Sequence, residues 1–374
     1  MSSSHHLLES HSYARGRLQL GIAGVGSMVL LAAIVAGLGL PATVFPESAG
    51  SFLTDARALF AWGAALALVT LPVEALGGFF VPRAFRRSHP SLITWITGWL
   101  RGALVITLLM STIGATLLAA GRAAGPGAAL GVFGLLLFAL LTFQVTVARW
   151  VAGLRVNKSG LGAIEEELNS LGGSMPRVTV LESEDEGFTG GVAGLPGRET
   201  CVLPIAWVGG LEPRALALLL ERRGRIVRSG LRASGVALAL AWTLGTFAAA
   251  SMLPGAGLAS VAGLVTTSLW FSLLSFVGLL LLPTPSRRGT KAADARLLSG
   301  LEGRDRELFS ETLRALDQLQ DDEPERSPSI ESVFHPIPSL GSRRRALDEP
   351  ATGLAPWHVA RTAIYLSIAG MNPL

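Results

Sequence analysis

The residues able to carry chemistry are few, and most of them are charged. The histidines stand at positions 5, 6, 11, 89, 335 and 358; none lies between 90 and 334, and none forms a His-x-x-x-His pair outside the N-terminal tail. Two imidazoles at i and i+4 share one helical face, which is how a helix offers a ligand pair to zinc. Cys201 is the single cysteine, which excludes an intramolecular disulfide and a multi-cysteine metal site. No Ser-x-x-Lys, Gly-x-Ser-x-Gly or paired catalytic carboxylates stand out. The run Glu182, Glu184, Asp185 and Glu186 reads as a solvated acidic loop. What remains is Glu221-Arg-Arg-Gly-Arg225, with Asp294 further on. Glu221 and Arg225 are spaced i, i+4, so they suit a salt bridge worth a few tenths of a kcal/mol when exposed. Glu74 and Arg101 lie within apolar stretches, where charge is costly.

The elements that must position these residues are mostly hydrophobic. Of the 374 residues, 50% are hydrophobic and 16% charged, and mean hydropathy is +0.49. Soluble domains carry about 25% charged residues. Segments of about 20 apolar residues span a bilayer, and about six qualify: 18–40, 58–81, 92–120, 128–148, 233–253 and 258–283. Arginines and lysines gather before the first, between the second and third, after the fourth and after the sixth, whereas the alternate loops hold only Arg57 and Arg122. Excess positive charge marks the cytoplasmic side, so both termini and the soluble regions are expected there. The same placement explains the pI of about 9.9 without nucleic acid. Glu74 and Arg101 would each sit about 12–14 Å deep from that side, at about 1.5 Å per residue, level enough for an ion pair.

The organisation expected is a tail at 1–17, four spans over 18–153, a soluble part at 154–232, a two-span hairpin at 233–283, a second soluble part at 284–350 and an amphipathic segment at 351–374. Within the first soluble part, a short helix falls near 164–171. Arg177-Val-Thr-Val-Leu181 alternates like a strand, and Thr200-Cys-Val-Leu203 reads as another. The glycine-rich stretch 187–197 between them suggests a β-hairpin. Pro213 suits the first turn of a helix that continues through 215–227. Further helices are expected at 290–301 and 304–320. Gly190-Gly-Val-Ala-Gly-Leu-Pro-Gly197 lacks the ending of a phosphate loop.

The order of elements over 127–347 resembles the membrane HExxH zinc metallopeptidases, the HtpX-type heat-shock peptidases and CAAX prenyl proteases. Gly187-Phe-Thr-Gly-Gly191 stands where that family has its edge strand. Leu203-Pro-Ile-Ala-Trp207 and Leu211-Glu-Pro213 lead into its metal-binding helix. Lys291-Ala-Ala-Asp-Ala295 is similar to its Glu-x-x-Ala-Asp helix, and Phe334-His-Pro-Ile-Pro338 with 343–345 to its His-Pro…Arg tail. The resemblance implies a zinc held by two histidines and a glutamate, with a glutamate as general base. Here the ligand positions become Glu221, Arg225 and Thr290, and the base becomes Arg222. Zinc is therefore expected from the family while its ligands are absent, and no cofactor is expected. The family's edge strand takes substrate by β-addition, which would place Gly187, Phe188, Gly190 and Gly191 at a peptide-binding edge, although Phe188 suits a core equally well. His335, flanked by Pro336, reads as part of a rigid turn rather than a catalytic group.

The fold class expected is predominantly α: a polytopic membrane protein with about six transmembrane helices and a small α+β cytoplasmic metallopeptidase-like domain. The leading function is a catalytically inactive homologue in a bacterial inner membrane, acting as a binding, scaffold or regulatory protein. An active metalloendopeptidase with an atypical site and a small transporter are the alternatives. Partners are the lipid bilayer, another membrane protein or an extended peptide, without nucleic acid. A clasp joining the two soluble parts, with Glu221 on Arg225 and Asp294 on Arg222 or Arg225, is one reading of the charges. A solvated helix end near anionic lipid is the other.

Overall fold

The computed structural model describes residues 13–45, 50–86, 90–157, 160–173, 177–183, 188–281, 283–320, 323–327, 331, 335 and 337–346. The expectations for the first 12 residues, for Gly187 and for 351–374 lie outside the described residues. Helix α1 spans Tyr13–Gly37, so residues assigned to a tail begin the first helix. A short α2 (Leu40–Val44) follows. Helix α3 runs Phe52–Ala84, capped by the Ser51 hydroxyl accepting from Thr54 N at 3.3 Å. It contains Pro72 and a π-helical turn at Leu76–Phe80.

Helix α4, Leu92–Thr142, is 51 residues long and would measure about 76 Å if straight. It is broken at Ala124 (φ −142°, ψ 16°) and Gly125 (φ 80°, ψ 179°), immediately before Pro126. Gly125 takes a conformation that side chains avoid, and proline removes the next backbone donor. The chain reverses there. Gly114 lies against Leu264 and Gly121 against the Leu258 carbonyl, whereas Phe133 has returned to Phe271. Five helices, α1, α3, α4, α9 (Leu231–Ala250) and α10 (Val261–Leu281), are long and apolar enough to cross a membrane. The third and fourth apolar segments are the two arms of α4.

The soluble part begins after α5 (Gln144–Ala152) with β1 (Arg155–Asn157), α6 (Leu161–Ser170) and β2 (Val178–Glu182). Then come β3 (Gly191–Ala193), β4 (Thr200–Pro204), α7 (Ile205–Gly210) and α8 (Pro213–Arg228). Beyond the second pair of spans are α11 (Pro283–Leu298), α12 (Arg304–Gln320) and α13 (Leu340–Arg345). The sheet order is β1-β2-β4-β3. The expected hairpin of the two long strands is corrected: β2 and β4 pair in parallel, Val178 opposite Cys201 and Val180 opposite Leu203. Parallel strands need a crossover rather than a tight turn. The glycine-rich stretch supplies it, and holds β3, which pairs antiparallel to β4 with Val192 opposite Cys201. Gly190 (φ 62°) passes so close to the Val202 carbonyl that a Cβ would lie 2.2 Å from it.

One core serves both soluble parts. Ile164, Val180, Leu203, Leu216, Leu218 and Leu220 meet Leu297, Phe309 and Leu313 from the far side of the two-span hairpin. Helix α8 lies at its centre, packed against α6, α11 and α12.

Candidate functional site

Helix α8 begins with Pro213 at its first turn and buries an unbroken run from Ala215 through Glu221. Its leucines lock it into the core and carry Glu221 in with them, while Arg225 stays half-buried and Arg228 exposed. Glu221 is 4% exposed. Its Oε1 accepts from Arg225 Nε and from Arg228 Nη2, each at 2.7 Å. Both arginines lie on the same helical face, one and two turns on. Arg225 also donates to the Arg296 carbonyl at 2.9 Å, reaching helix α11. Glu221 Oε2 is buried without a hydrogen-bond partner.

One residue on, α8 makes a second buried pair. Asp294 of α11 is 0% exposed. Its Oδ1 accepts from Arg222 Nε at 2.5 Å and from Arg343 Nη2 at 3.0 Å, while Oδ2 accepts from Arg343 Nε at 2.7 Å. Arg222 Nη2 also reaches the carbonyl of the buried Thr290 at 3.4 Å. Three elements, α8, α11 and α13, thus converge on one carboxylate. Burial alone would raise the Asp294 pKa, but the charges of Arg222 and Arg343 outweigh it and hold the carboxyl below its ordinary range. At neutral pH the centre is a carboxylate between two guanidiniums.

Two further arginines, Arg223 and Arg232, turn elsewhere. Arg223 stacks over the Trp207 ring at 5.4 Å and donates to the Val202 and Thr189 carbonyls at 3.1 and 3.2 Å. Arg232, at the start of α9, is 5% exposed. It lies 3.6 Å from the buried Glu199 and donates to the Gly194 carbonyl at 2.6 Å and the Val192 carbonyl at 3.4 Å. Gln144 Oε1 accepts from Gly194 N–H at 3.2 Å. Val192 and Gly194 face away from β4, so Arg232 and Gln144 occupy outward groups of the edge strand β3. Phe188 packs on the small cluster of Leu154, Leu181, Ala193 and Val202. At the start of α8, Arg214 grips Asp305 by two bonds of 3.0 and 2.7 Å and also reaches Glu167. The hydrogen bond from Arg214 keeps the Asp305 carboxyl below its usual range.

These residues do not fit zinc. Both oxygens of Asp294 and one of Glu221 are taken by guanidiniums, which stay protonated and repel a dication. Among the described residues, no three His, Cys, Asp or Glu side chains are grouped to hold a metal ion. His335 donates its backbone N–H to the Glu331 carbonyl at 3.3 Å.

The expected Glu74–Arg101 ion pair is corrected. Glu74 is 7% exposed and accepts from the Trp99 indole N–H. Trp99 and Arg101 are about 200° apart around α4, so a face that offers the indole to α3 turns the arginine away. The Arg101 guanidinium lies instead against Gly153, where a Cβ would come within 2.2 Å of it. Arg343, Arg223 and Arg232 were missed as partners in the sequence. Arg343 carried a signal, since it stands in the arginine-rich tail that resembles the family motif; the other two carried none.

The fold itself is similar to a known one. The crystal structure of Ste24p from S. mikatae superposes with a TM-score of 0.63, over 86% of this chain and 80% of that one, at 14% identity. No protein-family profile and no curated protein sequence matches the chain. With its apolar helices and small sheet, the chain is an integral, polytopic membrane protein with a Ste24p-like fold.

Proposed function

We propose that this protein is a relative of the membrane HExxH zinc peptidases that works by binding rather than hydrolysis, as a scaffold or regulator of another membrane protein. One observation carries this reading: Asp294, beside the third-ligand position Thr290, is saturated by Arg222 and Arg343. Arg222 stands at the general-base position and cannot accept a proton at any working pH. Hydrolysis of a peptide bond needs a group that activates water, and the centre offers a clasp in its place. The Asp294–Arg222 pair and the bond from Arg225, itself held by Glu221, to the Arg296 carbonyl tie the two soluble parts together where a metal would otherwise do so.

Strand addition of an extended peptide fits less well than docking of a folded partner. The outward carbonyls of Val192 and Gly194 already accept from Arg232, and an edge whose groups are taken is a poor template. The same reading puts the soluble domain and both termini on the cytoplasmic side, on the strength of the arginine distribution. Incubation of the purified protein with unfolded casein, with added zinc and with chelator, tests it. No cleavage above background is expected in either condition; cleavage that the chelator abolishes would overturn the proposal.

A further inference from the structure

A wholly apolar groove of about 340 Å³ opens on the outside of the helical bundle between α3 and the start of α4. It runs from Leu71 to Phe80 along one wall and from Leu92 to Leu100 along the other. At 1.5 Å per residue that is about 12–14 Å, close to the roughly 15 Å depth of one leaflet's hydrocarbon. The π-helical turn at Leu76–Phe80 forms part of the wall. Trp95 is seated deep because Gly78 leaves room for it; a Cβ there would lie 2.7 Å from the indole nitrogen. Glu74, the one ionisable group behind this wall, is turned onto the Trp99 indole, so the groove presents hydrocarbon and ring faces only.

The mouth is different. Phe79, which lines the groove, carries the Arg83 guanidinium 5.8 Å above its ring. Arg86 follows within a turn, its N–H on the Arg83 carbonyl. Both arginines are exposed, and neither has a carboxylate partner among the described residues. Leu92, at the other wall, is the first residue of α4, whose N-terminal N–H groups favour an anion. Positive charge at one end and an apolar slot of leaflet depth behind it match one ligand chemistry. We propose that this groove holds an anionic phospholipid, one acyl chain between α3 and α4 and its phosphate on Arg83 and Arg86.

The test is native mass spectrometry of the full chain in detergent, titrated with phosphatidylglycerol or with phosphatidylcholine. One phosphatidylglycerol should be retained per chain, with about tenfold preference over phosphatidylcholine, whose choline cancels the charge of the phosphate that both lipids share; that is the size expected where two arginines meet a net negative headgroup. Arg83→Glu with Arg86→Glu should remove that preference. Ile96→Trp, which fills the slot from its exposed side, should weaken retention of both lipids while leaving the melting temperature in lipid-free detergent unchanged. Equal retention of the two lipids by the unaltered protein, or retention unaffected by either variant, would overturn the proposal.

Discussion

Asp294 and Glu74 are both carboxylates withdrawn from water, and they are partnered in opposite ways. Asp294, in the soluble domain, holds two guanidiniums from helices distant in sequence. Glu74, in the bundle, holds a single indole N–H from the adjacent antiparallel helix. The contrast extends to the arginines. Six of those in the soluble domain, Arg214, Arg222, Arg225, Arg228, Arg232 and Arg343, each reach a carboxylate, while Arg223 turns to a ring face and two carbonyls. Arg83 and Arg101, on the bundle, have no such partner among the described residues and turn to a ring face and a helix end. The soluble domain spends its arginines on joining elements to one another. The bundle has one such pair, Arg122 on the buried Asp55 at 2.6 Å, and leaves Arg83 at the surface, where an anionic headgroup can meet it.

Breaking the Asp294 centre should have the largest effect. Removing one member of a buried ion pair costs about 3–5 kcal/mol, because the remaining charge is stranded. Asp294→Ala strands both Arg222 and Arg343, and thermal unfolding in detergent should show a loss of that order. Arg222→Met leaves Arg343 in place and should cost less. The double variant should cost less than the sum of the two single losses, by about 0.5–3 kcal/mol; strict additivity would mean that the two side chains do not interact. The same centre sets a pH dependence. The folded Asp294 pKa lies below its unfolded value, so its contribution is complete above about pH 4. It should fade only as pH falls through the lowered folded value, and a melting-temperature profile from pH 7 downward checks this.

Smaller effects sharpen the other side of the comparison. Arg232→Met strands the buried Glu199 and frees the Val192 and Gly194 carbonyls; with one partner on the carboxylate in place of two, about 3 kcal/mol should be lost, together with faster hydrogen exchange in β3 and β4. Glu74→Gln keeps an acceptor for Trp99 and should change stability by less than about 1 kcal/mol. The exchange of Glu74→Arg with Arg101→Glu should not restore expression lost in the single variants, since the two side chains do not meet; restoration would return the pair to one site. Smallest of all is Arg345→Ala. The Arg345–Glu325 pair is solvent-exposed on both sides, and its loss should stay within about 0.5 kcal/mol.

Much of this architecture is legible in the sequence because it depends on local rules. The apolar segments, the start of α8 at Pro213 and the pairing of Glu221 with a residue four positions on all follow from hydropathy and helical period. The parallel pairing of β2 with β4 is not legible, because the glycine-rich stretch between them has the composition of a hairpin turn and only the tertiary path makes it a crossover. The partner of Glu74 was lost to phase: depth put Arg101 level with it, but rotation around α4 presents Trp99. Arg343 reaches Asp294 across a segment with no periodic pattern, and Arg232 looks like any arginine beside a span until Glu199 is placed opposite it.

The central claim is that arginine and carboxylate close the position at which a zinc ion would sit. Elemental analysis of the detergent-purified protein, after mild chelation of adventitious metal, tests it most directly. The account predicts well under one zinc per folded chain, with the melting temperature unchanged by the chelator. One tightly held zinc per chain would contradict it.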